Sequence, residues 1–372
     1  MSRANVYRTQ QIHYSLKKRL YGVGNTRKFK CRISVGYKDN KPFVLKYFKL
    51  SSKMNKRKAI LNSMKKEVEA LQTLDHPHLL KFYGSCEEGN LKIDNKNEIR
   101  ISYFVMEYNK GITLFDYIKH SNKFSERLAR YYFRQLISAI QYIHNENFIH
   151  RDIKLDNILI DNLYELKLID FGLSCRVDSS KLVKGISGTK GFMPPELFSE
   201  KFVYGPPTDI FSCGVTLLTV IAGFTLFNKE NITIDKNYVL FVNQNNEFWN
   251  SFEDLTKNNI SYELKNLITR MLVPDPFQRI SLNEIVVHSW ITSNNVPTYE
   301  EVVMECEMRK KIIKENNKYE EISKHHQLNE EIVGIENLSN LKEEEQISEL
   351  FGGFEMPNSP HSTICTSNLS LK

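Results

Sequence analysis

The sequence contains no C-x-x-C pair; its six cysteines, Cys31, Cys86, Cys175, Cys213, Cys306 and Cys365, lie far apart. That spacing argues against a disulfide framework and reads as free intracellular thiols. No apolar run reaches the ~20 residues of a membrane span. The longest, Gly214 to Phe227 (GVTLLTVIAGFTLF), has 14 residues and predicts a buried core helix. The opening residues MSRANVYRTQQ hold no apolar segment of the kind a secretory signal needs. There is no zinc-finger, homeodomain or RNA-recognition signature, no EF-hand loop and no internal repeat. These absences leave a globular protein expected in the cytoplasm, with nuclear access open and neither a membrane span nor a nucleic-acid partner.

What is there is a chain of 372 residues, 41% hydrophobic and 26% charged, long enough for a large core. Its net charge of +7 is unevenly placed. From Ile291 to Lys372, 8 Lys and Arg stand against 15 Asp and Glu, a net −7 that leaves +14 on the remainder. The densest basic stretch, Lys53 to Lys66 (KMNKRKAILNSMKK), reads first as a solvated helix face.

The first hundred residues read as strands around one helix. SLKKRLYGVG and KFKCRISVGY flank a Gly-containing turn, and KPFVLKYFKL follows with β-branched and aromatic residues. Met64, Val68, Leu71 and Leu74 have helical spacing over Ser63 to Leu74, and Asp75-His76-Pro77 ends that helix. Leu79–Cys86 and Ile101–Tyr108 predict two more strands. Beyond Gly111 the pattern is helical, clearest at Ala129–His144, apart from NILI and LKLID on either side of Asp161-Asn162. The body is therefore α+β, a small strand-rich lobe and a larger helical one. After Trp290 the sequence is charge-rich and ends in PNSPHSTICTSNLSLK, with the composition of a disordered segment.

The chemistry is concentrated in HRDIKLDN, residues 150 to 157. Phosphoryl transfer asks a protein for an orienting carboxylate, oxygen ligands for Mg²⁺ and cations for the phosphates. Asp152 suits the first, Lys154 the last, and Asn157 offers a neutral oxygen for a hard cation. A second metal ligand is expected at a nearby strand end, where Asp170 opens Asp170-Phe171-Gly172.

H-R-D-x-x-x-x-N and then D-F-G, with Asn157 and Asp170 13 residues apart, closely resembles the signature of protein kinases. The resemblance covers roughly Tyr14 to Ile291 and is to the eukaryotic Ser/Thr type. Lys154 and Thr189 match the Ser/Thr pattern, and phrases such as HPHLLKFYG, LFDYI and DFGLS are most like the calcium/calmodulin-dependent group, including relatives of AMP-activated kinase. It implies a bilobal protein kinase fold: an extension over 1–13, a kinase domain over 14–291 and an acidic, partly helical or disordered tail over 292–372. Within the domain, a small β-rich N-lobe with helix C covers about 14–107 and a mainly helical C-lobe about 111–291. The implied cofactors are ATP and Mg²⁺, and the implied partners are proteins with Ser/Thr acceptors. Carried over residue by residue, the catalytic set is Asp152, Lys154, Asn157, Lys46 and Glu67, and the metal ligands are Asn157 and Asp170. The nucleotide would meet Gly22, Val23, Gly24, Phe29, Val44, Lys46, Met106, Glu107, Tyr108, Leu159 and Asp170. Glu196, in Pro194-Pro195-Glu196, would pair with Arg279, and Asp209 would brace the catalytic loop.

Three departures qualify the resemblance. In the glycine loop Arg27 stands where the third Gly is usual and Phe29 where Val is, which predicts a bulkier roof over adenine. This keeps a second reading open, a pseudokinase or allosteric scaffold with impaired nucleotide binding. Gly185 occupies the usual activating-Thr position although Arg151 is present, so either a nearby serine (Ser179, Ser180 or Ser187) takes the role or the loop orders without phosphate. Thr113 replaces a frequent glutamate, leaving Asp156 as the acidic contact for substrates with basic residues upstream. The acidic tail beside a basic body leaves two readings, a segment docked onto that body or a solvated linker with no regulatory role. The run Arg309–Lys314 has the charge of a calmodulin target but few apolar anchors and acidic flanks, so calmodulin is an unfavoured partner.

Overall fold

A computed structural model describes residues 18–19, 25–26, 29–38, 41–92 and 98–316. The smaller lobe is an antiparallel five-stranded sheet of β1 (Lys18–Arg19), β4 (Arg32–Lys38), β5 (Lys41–Lys49), β6 (Phe82–Lys92) and β7 (Glu98–Glu107), in the order β1-β4-β5-β7-β6. The short strands β2 (Asn25–Thr26) and β3 (Phe29–Lys30) pair with each other. Successive side chains of a strand face opposite ways. On β5 this sends Phe43, Leu45 and Tyr47 into an outer cluster with Leu91, Ile101 and Tyr103. It sends Val44, Lys46 and Phe48 to the inner face, and Phe48 there joins the main core with Met64 and Val68.

Those two partners belong to helix α1, Met54–Thr73, which buries Ile60, Met64, Glu67, Val68, Ala70 and Leu71 on one face. The helix begins well before the predicted Ser63, because the basic stretch forms its first turns with only Ile60 buried. It ends where expected, Leu74 turning extended with its N–H on the Ala70 carbonyl.

The larger lobe starts with β8 (Ile112–Thr113) and α2 (Leu114–Ser121), capped by the Thr113 hydroxyl, and continues with α3 (Glu126–Asn145), capped by Ser125. After β9 (Phe148–Ile149), the hairpin β10 (Ile158–Ile160) and β11 (Leu166–Leu168) pairs with β8 in the order β11-β10-β8. β12 (Cys175–Arg176) pairs with β9, and β13 (Leu182–Lys184) pairs with β14 (Phe202–Tyr204) beyond the short helix α4 (Glu196–Ser199).

Helix α5, Gly205–Ala222, holds much of the longest apolar run and ends at Gly223, whose φ of 88° is a left-handed stop that a side chain would disfavour. By length and composition it could cross a membrane, but 94% of it is buried inside the lobe, as a core helix should be. Helices α6 (Lys236–Asn243), α7 (Asn245–Thr256) and α8 (Tyr262–Met271) pack around it. Part of the segment read as a tail belongs to this lobe. Residues 299–316 form a helix that buries Val302, Cys306 and Ile313 in the main core, and the compact unit runs to Asn316. The expected tail beyond it, residues 317–372, lies outside the described residues.

Candidate active site

The loop between β9 and β10 carries HRDIKLDN, and its shape is imposed from beneath. Asp209, fully buried on α5, accepts the backbone N–H groups of His150 at 2.9 Å and Arg151 at 2.8 Å. His144 Nε2 lies 2.8 Å from the same carboxylate. Burial alone would push the Asp209 carboxyl up; these hydrogen bonds outweigh it and hold the group below its ordinary value. The bonds also hold Arg151 at a φ of 68°, a left-handed conformation costing a non-glycine residue about 1–3 kcal/mol. Asp170 stands at a φ of 63°, so both strained residues flank the proposed chemistry.

Above that loop the predicted groups come together. Thr189 Oγ1 donates to Asp152 Oδ1 at 2.6 Å and accepts from Lys154 Nζ at 2.7 Å. Lys154 Nζ is also 3.2 Å from Asp152 Oδ2. Asn157 Nδ2 donates to the Asp152 carbonyl at 2.8 Å and to Oδ2 at 3.0 Å. The Asp152 carboxylate is thus held by three side chains, two of which are also bonded to each other.

The second cluster joins the lobes. Lys46 Nζ lies 2.6 Å from Glu67 Oε1 and 3.0 Å from Asp170 Oδ1, with Lys46 and Glu67 both buried. Burial would lower the Lys46 ammonium, but Glu67 and Asp170 outweigh it and raise the group above its usual value. For Asp170, burial works upward, and the neighbouring Lys46 overcomes it to hold the carboxyl at about 2. The Asp170 side chain nonetheless stays 45% exposed, open to a ligand. The two clusters are tied together through the backbone, since Ile169 N–H donates to the Asn157 carbonyl at 2.8 Å. Asn157 and Asp170 therefore sit side by side at the base of the β10–β11 hairpin. Both offer hard oxygen donors of the kind Mg²⁺ prefers.

The connection between lobes places Met106 opposite Val44 and Phe82. Glu107 N–H donates to the Lys81 carbonyl at 2.8 Å, so that donor is already committed within the protein. Tyr108 follows, and Leu159 on β10 pairs with Thr113. Gly22, Val23 and Gly24, with Arg27 and Lys28, lie outside the described residues, as does the side chain of Phe29.

Glu196 and Arg279 form a buried two-pronged pair at 2.7 and 2.9 Å, beneath the segment Gly188–Glu196. Among the described residues Arg151 forms no ion pair with a carboxylate. Its Nη2 donates at 3.2 Å to the carbonyls of both Lys184 and Gly185, and its Nη1 lies 3.8 Å from Cys175 Sγ. Thr113, besides capping α2, donates from its hydroxyl to Asp116 Oδ2 at 2.7 Å, whereas Asp156 is exposed. Sequence reasoning missed the His144 contact with Asp209, whose partners lie 65 residues apart, and the partners of Arg151, because backbone carbonyls leave no mark in composition or spacing. In the run Arg309–Lys314, Arg309 and Ile313 are buried against the lobe rather than presented to a partner.

The family model described as the protein kinase domain matches residues 18–291. The chain is 36% identical over 242 residues to an SNF1-related protein kinase catalytic subunit alpha (KIN12) of Arabidopsis thaliana, covering 63% of this chain and 43% of that one. It is 34% identical over 290 residues to CBL-interacting serine/threonine-protein kinase 16 of the same plant, covering 75% and 57%. Against the carbon catabolite-derepressing protein kinase of Candida glabrata it is 36% identical over 227 residues, covering 61% and 34%. The matched part thus spans from about a third to somewhat over half of the length of these relatives.

Proposed function

Because the chain belongs to the protein kinase family, with Ser/Thr kinases of the SNF1-related and CBL-interacting kinds among its relatives, we propose that it transfers the γ-phosphate of Mg-ATP to Ser or Thr hydroxyls of proteins. One observation carries the proposal: Asp152 is held at once by Thr189, Lys154 and Asn157, while Lys46, Glu67 and Asp170 form a paired cluster joined to it by backbone. In the step, the substrate oxygen bonds to the γ-phosphorus as the bond to the β-bridging oxygen breaks. The hydroxyl proton passes to the Asp152 carboxylate, and ADP leaves. Asp152 orients the hydroxyl; Lys154, 2.7 Å from Thr189 Oγ1, stands where it neutralises the transferring group. Lys46, kept charged by two carboxylates, is the cation for the α- and β-phosphates. Asn157 and Asp170 would hold Mg²⁺, which when bound offsets the phosphate charge.

Exposed Asp156 supports acceptors with basic residues upstream. The carbonyl partners of Arg151 support a loop that is ordered without phosphate. The test is phosphate transfer to a mixed basic peptide pool by phosphatase-treated protein, with Asp152→Asn beside it. Transfer lost in the variant supports the proposal. Tight Mg-ATP binding without transfer by the unaltered protein under any loop phosphorylation refutes it, and absence of nucleotide binding favours the scaffold reading.

A further inference from the structure

The helix 299–316 lies beyond the matched family domain, yet it grips two elements of the active site from their far ends. It is itself well founded: Thr298 and Glu301 form a reciprocal cap, with Thr298 N–H donating to Glu301 Oε2 at 2.7 Å and Glu301 N–H donating to Thr298 Oγ1 at 3.3 Å. Cys306, on its buried face, lies 3.2 Å from the Tyr132 hydroxyl on α3.

The first grip is on α2. A helix ends in carbonyls without intrahelical partners and carries partial negative charge there. Arg309, almost fully buried, donates to the carbonyls of Ser121 at 2.8 Å, Asn122 at 3.0 Å and Lys123 at 2.9 Å. Its guanidinium lies over the Phe124 ring at 4.7 Å, and Glu305 at 2.8 Å holds it in place. Asn316 Nδ2 adds a bond to the His120 carbonyl at 2.8 Å. One side chain thus holds the last carbonyl of α2 and the two that follow it, beside the helix's own cap from Asn122 N–H to the Ile118 carbonyl.

The second grip is on the tip of the β10–β11 hairpin. Tyr164, at that tip, donates its hydroxyl to Glu307 Oε1 at 2.6 Å, and Lys310 Nζ sits over its ring at 4.2 Å. The Tyr299 ring packs edge-on against Tyr164. At the other end of this hairpin stand Asn157, immediately before β10, and Asp170, two residues past β11. β8, the third strand of the same sheet, runs directly into α2. One helix therefore holds both continuations of the sheet whose base carries the two expected metal ligands.

The geometry points to Arg309 and Glu307 as positioning residues for that ligand pair, acting through α2 and Tyr164 respectively. The inference deepens the proposed phosphotransfer and rests on that reading for the role of Asn157 and Asp170. A hairpin about three residues long transmits a shift of its tip to its base almost rigidly, since its strands rise only ~3.3 Å per residue. Loosening the grip would let Asn157 and Asp170 move together, weakening Mg-ATP binding and slackening the Asn157 bonds to Asp152, which keeps its contacts with Thr189 and Lys154.

The experiment uses the full chain with Arg309→Met, Glu307→Gln and Tyr164→Phe. Leu264→Ala, a core change on α8, serves as a stability control. Calorimetric titration gives the Mg-ATP dissociation constant, peptide transfer gives KM and kcat, and thermal melts give Tm. A residue coupled through packed neighbours shifts affinity roughly three- to tenfold. The expected result is such a rise in Kd and in KM for Mg-ATP for each of the three variants, with KM for peptide unchanged. Arg309→Lys should recover part of the loss, and Leu264→Ala should lower Tm alone. Nucleotide affinity unchanged in Tyr164→Phe and Glu307→Gln, or a change tracking Tm as in Leu264→Ala, overturns the inference. The titration is read without turnover. A protein that binds Mg-ATP but transfers nothing thus refutes the proposed function and still decides this point.

Discussion

Removing Glu196 should expose how much the peptide-side platform depends on a charge pair sealed from water. The Arg279 side chain is completely buried and Glu196 nearly so, and their two contacts at 2.7 and 2.9 Å are supplemented by bonds from Arg279 to the carbonyls of Val273, Pro207 and Pro274. Glu196→Ala leaves a guanidinium without its counter-charge in a dry site, at a cost of about 3–5 kcal/mol. That is a large share of the ~5–15 kcal/mol that holds a domain folded. Arg279→Met should cost at least as much, since it strands a buried carboxylate and also removes the donor from three carbonyls. The double variant Glu196→Ala/Arg279→Met removes both charges, so its cost should fall short of the sum by about 0.5–3 kcal/mol. It should not return to the starting stability, because the three carbonyls stay unpaired. Urea unfolding of the four proteins gives the cycle. A cost below about 1 kcal/mol for Glu196→Ala, the level of an exposed pair, would mean that water reaches the site and would refute the reasoning.

The Gly185 position gives a second prediction: its φ is 81°, and an added Cβ would meet no atom within 4 Å. Gly185→Ala should cost only the left-handed backbone penalty of about 1–2 kcal/mol locally, and phosphatase treatment should leave transfer intact; loss of transfer on treatment would assign the Arg151 site to a phosphorylated serine nearby. A third concerns acid. Asp170 is depressed from 3.8 to about 2, so the stability from its pair with Lys46 is fully present above pH 3.8 and disappears as the pH falls through about 2. Carbon-detected NMR of its carboxyl should show no titration between pH 7 and 4, and a midpoint near 4 would show that the pair is open in solution.

The chemical residues were legible because HRDIKLDN and Asp170-Phe171-Gly172 are local: the groups that act on one another at Asp152 and Asn157 lie within five positions. The strand β5 was legible too, from its β-branched and aromatic residues. What could not be read was structure made by backbone carbonyls or by distant partners. Lys53 to Lys66 read as solvated, and its first turns are, yet they belong to α1 because Ile60 anchors them to the core. Arg309 read as one cation in a charge run, and its partner Ser121 lies 188 residues earlier. No periodicity carries such a pairing.

The anchorage of the catalytic loop on Asp209 has a consequence for hydrogen exchange. The amides of His150 and Arg151 are bonded to a carboxylate with no exposure on a helix that is itself interior. Amides of this kind exchange with solvent only when the surrounding lobe opens as a whole. Their protection should therefore equal that of the innermost amides of α5, and no local breathing would unmake the loop while leaving the lobe intact. In a heated or denaturant-treated sample, loss of the Asp152 geometry and loss of the fold would be one event.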